Sequence, residues 1–540
     1  MAPLALLLAV AVPLAWSLWG AVAAAGDATA WAALAHEPQA LRALAMSLWT
    51  GVASTLLATA GTAWLLARRI HTPQWQRLSH LLSPLLAVPH AAFAIGLVTL
   101  LAPSGWLLRI VSPWATGLTA PPPWPTTQDP WGLGLIAVLV FKEIPFLLWA
   151  ALAHLQRPDV ARRLQQELRL AHTLGYRAST AWWRVGWPQL LPRLVAPLLA
   201  VLAYSLTVVD VALVIGPTSP PTLAVLAWQW LQDADPATNA QGAAAAWVLA
   251  AALALCAALA WAAAHAPAWR ARWSRGMAPN PGMAHPPSGA GWLTPLLAVY
   301  AAVMLSLLVS SVLGNWPFPQ LWPDNLTWAA WRSVLGSGRT LWTTVWLALA
   351  SSGVALLWAV AWLELAPARW RAPAQALLYL PLVLPAVLWV VGLHRLSLAW
   401  GLDTTGTGLW LAHTLACLPY VLLALIGPYT GFDPRLQQVA ATLGHGRWRF
   451  LLRVKWPLLR SALSASLAIG FAVSVAQYLP TLYVGAGRFS SVTTEAVTLA
   501  SGGQRSLTSA YAGLQLALPV LAFALAAWLG RPRRFRQTAS

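Results

Sequence analysis

The chain has 540 residues, of which 59% are hydrophobic and only 9% charged, with a formal net charge of +19. A soluble chain of this length would carry about a quarter charged residues, so this composition excludes a string of soluble domains. Two cysteines, Cys256 and Cys417, build neither a disulfide framework nor a metal site and read as small buried residues.

A helix needs about 20 apolar residues to cross roughly 30 Å of hydrocarbon. Such stretches occur near 3–24, 43–66, 80–102, 132–155, 194–216 and 244–265, then near 293–314, 339–362, 374–394, 408–428, 461–484 and 509–530. They predict an all-α integral membrane protein of about twelve transmembrane helices in two sets of six. Long apolar runs without dyad alternation favour helices over a barrel. The first stretch lacks a charged region before it and a clear small-residue cleavage site after Gly26, so it reads as a retained helix. The ninth is interrupted by Pro381 and Pro385, and the tenth holds His413 and Cys417.

With these spans and an inside N-terminus, Arg68, Arg69, the Arg270/Arg272/Arg275 cluster and the tail from Arg531 to Arg536 share one side. That is the positive-inside bias of a cytoplasmic-membrane protein with both termini in the cytoplasm. The basic balance reports orientation and implies no nucleic-acid partner. Many of the 36 tryptophans lie near span ends, as anchors in the lipid interface would.

Two basic-side loops nearly repeat each other 269 residues apart. Arg169–Pro192 reads RLAHTLGYRASTAWWRVGWPQLLP, and Gln438–Ser461 reads QVAATLGHGRWRFLLRVKWPLLRS. The offset places Ala171 on Ala440, Leu174 on Leu443, Gly175 on Gly444, Trp187 on Trp456 and Pro188 on Pro457. A duplicated motif implies a duplicated unit. We therefore expect a first half over 1–266 with a loop at 157–192, a Pro/Gly-rich cytoplasmic linker over 267–291, and a second half over 292–540 with a loop at 429–460. A fainter repeat agrees: Pro89 precedes Gly96 by seven residues, as Pro385 precedes Gly392. In each loop Ala permits close approach of a short helix to a partner, and Gly permits a sharp turn. Pro suits the first turn of the helix that re-enters the membrane. Arg177, Arg184, Arg447, Arg449 and Arg453 read either as positive-inside charges or as partner contacts.

These loops resemble the EAA loop of binding-protein-dependent ABC-transporter permeases, which runs Glu-Ala-Ala, three residues, Gly, then Leu-Pro downstream. The family's second Ala falls on Ala171 and Ala440, its Gly on Gly175 and Gly444, its Pro on Pro188 and Pro457. The sequence departs at the Glu (Arg169, Gln438), the first Ala (Leu170, Val439) and the Leu (Trp187, Trp456), while Glu167 lies two residues out of register. Ser205–Trp228 and Ser474–Val497 are similar to the fifth-helix region of ferric-iron, thiamine, sulfate and polyamine permeases. The double length is most like the iron and thiamine permeases, and the second segment also resembles a bacterial subgroup without an assigned substrate. The resemblance implies a type I importer permease fold. It also implies two ABC ATPase subunits docked on the loops, an extracytoplasmic solute-binding protein and one permease chain per complex.

Ionisable residues inside spans are costly and merit a functional reading. Lys142, Glu143 and Asp210 are such residues, joined from the second half by the polar Gln477 and Tyr478. Either Lys142 pairs with Asp210 to fix packing, or Asp210 and Glu143 line a path that favours a cationic solute. His90, His394 and His413 lack a carboxylate at ligand spacing and are weak candidates for metal or proton relay. The sequence holds no phosphate-binding Gly-rich loop, no nucleophile–His–acid set and no zinc-type motif, so no cofactor and no catalysis by this chain alone are expected. Nucleotide hydrolysis would fall to a partner. The competing class is an ion-gradient-driven six-plus-six secondary transporter. It leaves the paired loops unexplained, and Arg68–Arg77 lacks the Gly-Asp-Arg pattern of the major facilitators.

Overall fold

In the computed structural model the residues described are 1–69, 82, 84–155, 158–266 and 293–531. The expected linker at 267–291 and the tail from residue 532 lie outside them. The N-terminal stretch contains α1 (Ala2–Ala24), α2 (Ala40–Arg69), α3 (His90–Leu101), α4 (Leu133–Leu155), α5 (Pro158–Thr173), α6 (Val195–Thr207), α7 (Asp210–Ile215), α8 (Leu223–Leu231) and α9 (Pro236–His265). The C-terminal stretch contains α10 (Thr294–Ser310), α11 (Gly338–Leu365), α12 (Ala386–Ala399), α13 (Thr407–Thr430), α14 (Arg435–Thr442), α15 (Arg460–Ala476), α16 (Val492–Ala500) and α17 (Arg505–Gly530). Among the described residues the only extended pairing is an isolated bridge between Leu313 and Leu326.

Among the described residues nine helices are long and apolar enough to cross a membrane, two bent helix pairs pass the same test together, and α10 is a shorter apolar helix. Each of the twelve expected stretches thus has its counterpart in this all-α membrane fold. The ninth is not one straight helix: Ala368–Val383 and α12 meet at 96°. Pro385 explains the bend, because its ring pushes Leu384 out of helical backbone, to φ −69° and ψ 142°. Just before the eleventh, Arg447–Leu458 and α15 meet at 74°. The fifth breaks at Val208–Val209, after which α7 resumes. Thr207, Val208 and Val209 form a β-branched run, which lowers helix propensity.

The two stretches repeat each other closely. α8 and α16 start and end 269 residues apart, and α9 and α17 start at that spacing. They are also interlocked. Val10 and Leu14 of α1 belong to an apolar cluster with Leu347, Leu393 and Trp389 of the C-terminal stretch. Leu296, Val303 and Leu307 of α10 pack in the larger cluster with Phe93 and Leu97 of α3. The fainter repeat marks these two crossings. Pro89 and Pro385 stand immediately before α3 and α12, and Gly96 and Gly392 lie where the exchanged helix touches. A Cβ on Gly96 would sit 2.7 Å from the Val303 carbonyl oxygen, and one on Gly392 would overlap that of Ser17. Close backbone approach at small residues is how helices associate without a hydrophobic driving force. Ser306 Oγ donates to the Gly96 carbonyl at 2.9 Å, and Ser17 Oγ donates to the Trp389 carbonyl.

Candidate functional site

Both repeated loops are built the same way. α5 and α14 each end in a glycine with left-handed backbone, Gly175 at φ +87° and Gly444 at φ +75°. Tyr176 N–H then donates to the Ala171 carbonyl at 3.0 Å, and His445 N–H to that of Ala440 at 2.9 Å. Gly175 N–H and Gly444 N–H reach His172 and Ala441, both at 3.0 Å. These paired bonds satisfy carbonyls that a helix end leaves free, and only glycine adopts the required φ without strain. A short helix follows each turn, Ala178–Ala181 and Arg447–Phe450, then one wide π-turn, Trp182–Gly186 and Leu451–Lys455. In those turns Trp187 N–H reaches back to Trp182, and Trp456 N–H to Leu451. Pro188 and Pro457 come next, where a missing N–H interrupts the usual helical ladder.

The motif alanines face inward. Ala171 is 5% exposed and Ala440 7%, the latter packed with Phe450 and Leu451. The close approach that Ala440 permits is therefore to the chain's own next turn. Outward stand Leu170 (60% exposed) and Leu174 (63%) on one loop, and Val439 (55%) and Leu443 (68%) on the other. These are equivalent pairs at the 269-residue offset, so each loop presents two large apolar side chains four positions apart, on one helix face. Sequence reasoning counted Leu170 and Val439 only as departures from a motif, although the offset already paired them.

Anchoring of the two loops differs. In the second, the Glu364 carboxylate at the end of α11 accepts from Lys455 Nζ at 2.5 Å, Tyr429 Oη at 2.7 Å and Arg447 at 3.2 Å. In the first, the Trp182 indole N–H donates to the Ala63 carbonyl of α2 at 3.1 Å. Glu167 ties that loop to itself, accepting from Arg163 at 2.9 Å and from Gln189.

Of the two arrangements left open for the polar interior, the Lys142–Asp210 pair does not form. Lys142 Nζ instead donates to the carbonyls of Leu85, at 3.1 Å, and Val88, at 2.6 Å. Pro89 supplies the reason: it has no N–H to offer the Leu85 carbonyl four residues back, and the ammonium takes its place. Glu143 pairs with His90 at 3.2 Å, so this histidine does have a carboxylate partner, 53 residues away in sequence. Asp210 opens α7, within electrostatic range of His90. Tyr478 is buried beside Trp228, ring centroids 6.5 Å apart, and feels Asp210. Gln477 ends α15, its N–H closing on the Ser474 carbonyl at 3.2 Å. His413 is buried between Ser474 Oγ at 2.8 Å and Thr481 Oγ1 at 2.9 Å, a satisfied core histidine. Cys417 is buried too, its thiol directed at the Gly470 carbonyl.

Comparison with known proteins decides the family. The chain is 35% identical over 524 residues to the inner membrane ABC transporter permease protein YnjC of Escherichia coli K12, covering 94% of this chain and 92% of that protein. This chain belongs to the ABC transporter permeases. More distant relatives of the permease are the thiamine transport system permease protein ThiP of Brucella abortus and the spermidine/putrescine transport system permease protein PotC of Haemophilus influenzae. The first is 28% identical over 36% of this chain and 40% of ThiP, the second 23% identical over 28% of this chain and 58% of PotC. No family model matches the chain. The permease is a multi-pass membrane protein, and the resemblance drawn from its loops holds.

Proposed function

We propose that this permease forms the alternating-access path of an ATP-driven importer, with one ABC ATPase subunit docked on each repeated loop. Residues 1–266 and 292–540 act as two homologous six-helix halves, so one permease chain serves two ATPases. The termini and both loops face the cytoplasm, and an extracytoplasmic binding protein delivers solute to the opposite face in the inner membrane. ATP binding draws the loops together and turns the path outward, and hydrolysis resets it. The chain supplies no catalytic group to that cycle. The observation that carries this reading is the pair of equivalent apolar faces, Leu170/Leu174 and Val439/Leu443, held out by the same glycine turn. Large apolar groups exposed on a basic surface mark an interaction site. Relatives are named as permease proteins of a thiamine and of a spermidine/putrescine transport system.

The test uses Leu174→Asp and Leu443→Asp in the full chain. Each variant should insert normally and lose one ATPase on purification in mild detergent, and the double variant should lose both. Retention of both ATPases by the double variant would overturn the docking role. Uptake that follows a proton or sodium gradient without any ATPase would replace this reading with the secondary transporter.

A further inference from the structure

Two arginines stand side by side where the start of α17 meets the end of α3, and no acid answers either. Arg109 Nε donates to the Ser104 carbonyl at 2.9 Å, while Arg505 donates to the same oxygen at 3.2 Å and to the Ser104 hydroxyl. Arg109 is buried and also donates to the carbonyls of Trp316 at 3.0 Å, Pro317 at 2.8 Å and Gln320 at 2.7 Å. Its guanidinium lies 3.7 Å from the centre of the Trp316 ring. Among the described residues neither arginine forms an ion pair. Two like charges on one neutral acceptor repel, and an anion between or beside them relieves the repulsion. The repeated fold does not require this arrangement. Arg505 opens α17, whereas α9, 269 residues earlier, opens with Pro236 beside the capping Asp235.

A cavity of about 530 Å³ lies beside the pair, lined by Thr99, Ser310, Trp316, Ser333, Arg505 and Ser506 among others, with no acid in its wall. Arg505 is exposed, so a ligand can reach its guanidinium. The Trp316 indole N–H is buried and has no acceptor among the described residues. The first turn of a helix leaves N–H groups free, and that of α17 has no side-chain cap. A cation, free N–H donors and hydroxyls around one space are what an oxyanion needs. The space is of the size that holds a small organic molecule, far more than a bare phosphate fills. Its position selects the source. The 26 residues of α17 span about 39 Å, and their far end meets α15, where Ser464 Oγ donates to the Ala526 carbonyl at 3.0 Å. The cavity is therefore on the membrane face opposite the second loop. Trp106 packs there against Trp316 and Trp322, ring centroids 4.7 and 6.2 Å away, and Trp322, Leu107 and Ile110 are exposed. Tryptophans beside exposed aliphatic side chains mark the headgroup level of a bilayer.

We propose that this cavity holds the phosphate of an anionic phospholipid, with Arg505 as its charge contact and Trp316 and the first turn of α17 as N–H donors. Arg109 is a positioning residue that holds the loop carrying Trp316. The test uses the full chain with the subunits that purify with it, stripped of lipid by detergent exchange and titrated with short-chain phosphatidylglycerol under native mass spectrometry. Wild type should bind one molecule, and phosphatidylcholine, whose phosphate carries its own cation, at least about tenfold more weakly. Arg505→Gln should weaken phosphatidylglycerol binding about tenfold or more, as loss of a charge-assisted hydrogen bond does, and Arg505→Lys should keep most of it. Ser333→Asp, which adds a negative charge to the wall, should lose the lipid as well. Arg42→Gln removes an exposed arginine from the start of α2, outside the cavity, and should bind as wild type does. A wild-type thermal midpoint separates a lost site from a misfolded chain. Wild-type binding by both Arg505→Gln and Ser333→Asp, or an equal loss in Arg42→Gln, would overturn the site. Inorganic phosphate bound in an Arg505-dependent way, with no phosphatidylglycerol bound, would overturn the lipid and leave a free anion as the occupant.

Discussion

The two repeated loops share a backbone and differ in what holds it. Both end a helix at a left-handed glycine, both pass through one π-turn, and both expose a pair of large apolar side chains. Lys455 and Arg447 tie the second loop to Glu364 of its membrane helix, where Tyr429 of α13 also donates, whereas in the first loop the Trp182 indole bonds the Ala63 carbonyl of α2. The first runs through its proline as one 30-residue span from Ala178 to Thr207, while the second bends by 74° just after its proline, between Leu458 and Arg460. The shape of the loop is therefore the repeated property, and the chemistry that supports it is free to differ. Acids off the motif position hold both segments: Glu167 within the first loop, and Glu364 of α11 against the second.

The comparison breaks most severely at the shared element. Proline holds φ near −65°, far from the +75° of Gly444, and removes the N–H that Ala441 accepts. Gly444→Pro and Gly175→Pro should each reduce transport to background in an uptake assay while the protein still inserts. Unchanged transport in either would show that the turn is dispensable.

The unlike anchors should respond unequally. Glu364→Gln leaves Lys455 and Arg447 facing a neutral group, and breaking a buried pair costs about 3–5 kcal/mol. Glu364 is partly accessible, so the lower end applies. Hydrogen exchange over 443–458 should rise sharply in this variant, while exchange over 174–190 stays at the wild-type rate. An equal rise in both segments, or none over 443–458, would mean that Glu364 does not anchor its loop.

The exchanged first helices give a third contrast. A Cβ at Gly392 would overlap the Ser17 carbonyl more deeply than one at Gly96 overlaps Val303. Overpacking costs about 1–3 kcal/mol, and Gly392→Ala should lower the thermal midpoint more than Gly96→Ala. The reverse order would contradict the packing described at the two crossings.

The smallest effect concerns the starts of α9 and α17. Asp235 caps α9, accepting from Ala237 and Thr238 N–H, while its counterpart Gln504 makes no side-chain cap. Thr238, through its hydroxyl and N–H, and then Ala237 hold the Asp235 carboxyl below its usual 3.8. A lowered value means that the cap is intact above the ordinary carboxylate range and is lost as pH falls through the lowered one. Below that point residues 236–240 should fray in a hydrogen-exchange series while the start of α17 is unchanged. Asp235→Asn should abolish the pH response.

Much of this architecture was legible in the sequence because it is local. Span length, the 269-residue repeat and the glycine turn each rest on residues near one another in the chain. What sequence reasoning missed was partner choice at long range. His90 meets Glu143 across 53 residues, Ser17 meets Trp389 across 372, and Glu364 gathers donors from another helix and its following loop. The expected Lys142–Asp210 pair was reasonable on charge alone. It fails because Pro89 leaves a nearer acceptor unsatisfied, and a buried ammonium takes the closest unpaired carbonyl. The inward turn of Ala171 and Ala440 was equally hidden, since a motif gives spacing without saying which face meets the partner.

Native mass spectrometry of the complex extracted from its own membrane tests the central claim most directly. The account predicts one permease chain carrying two ATPase subunits, with one lost from a Leu443→Asp variant. A particle holding two permease chains, or a permease with no ATPase, would contradict it.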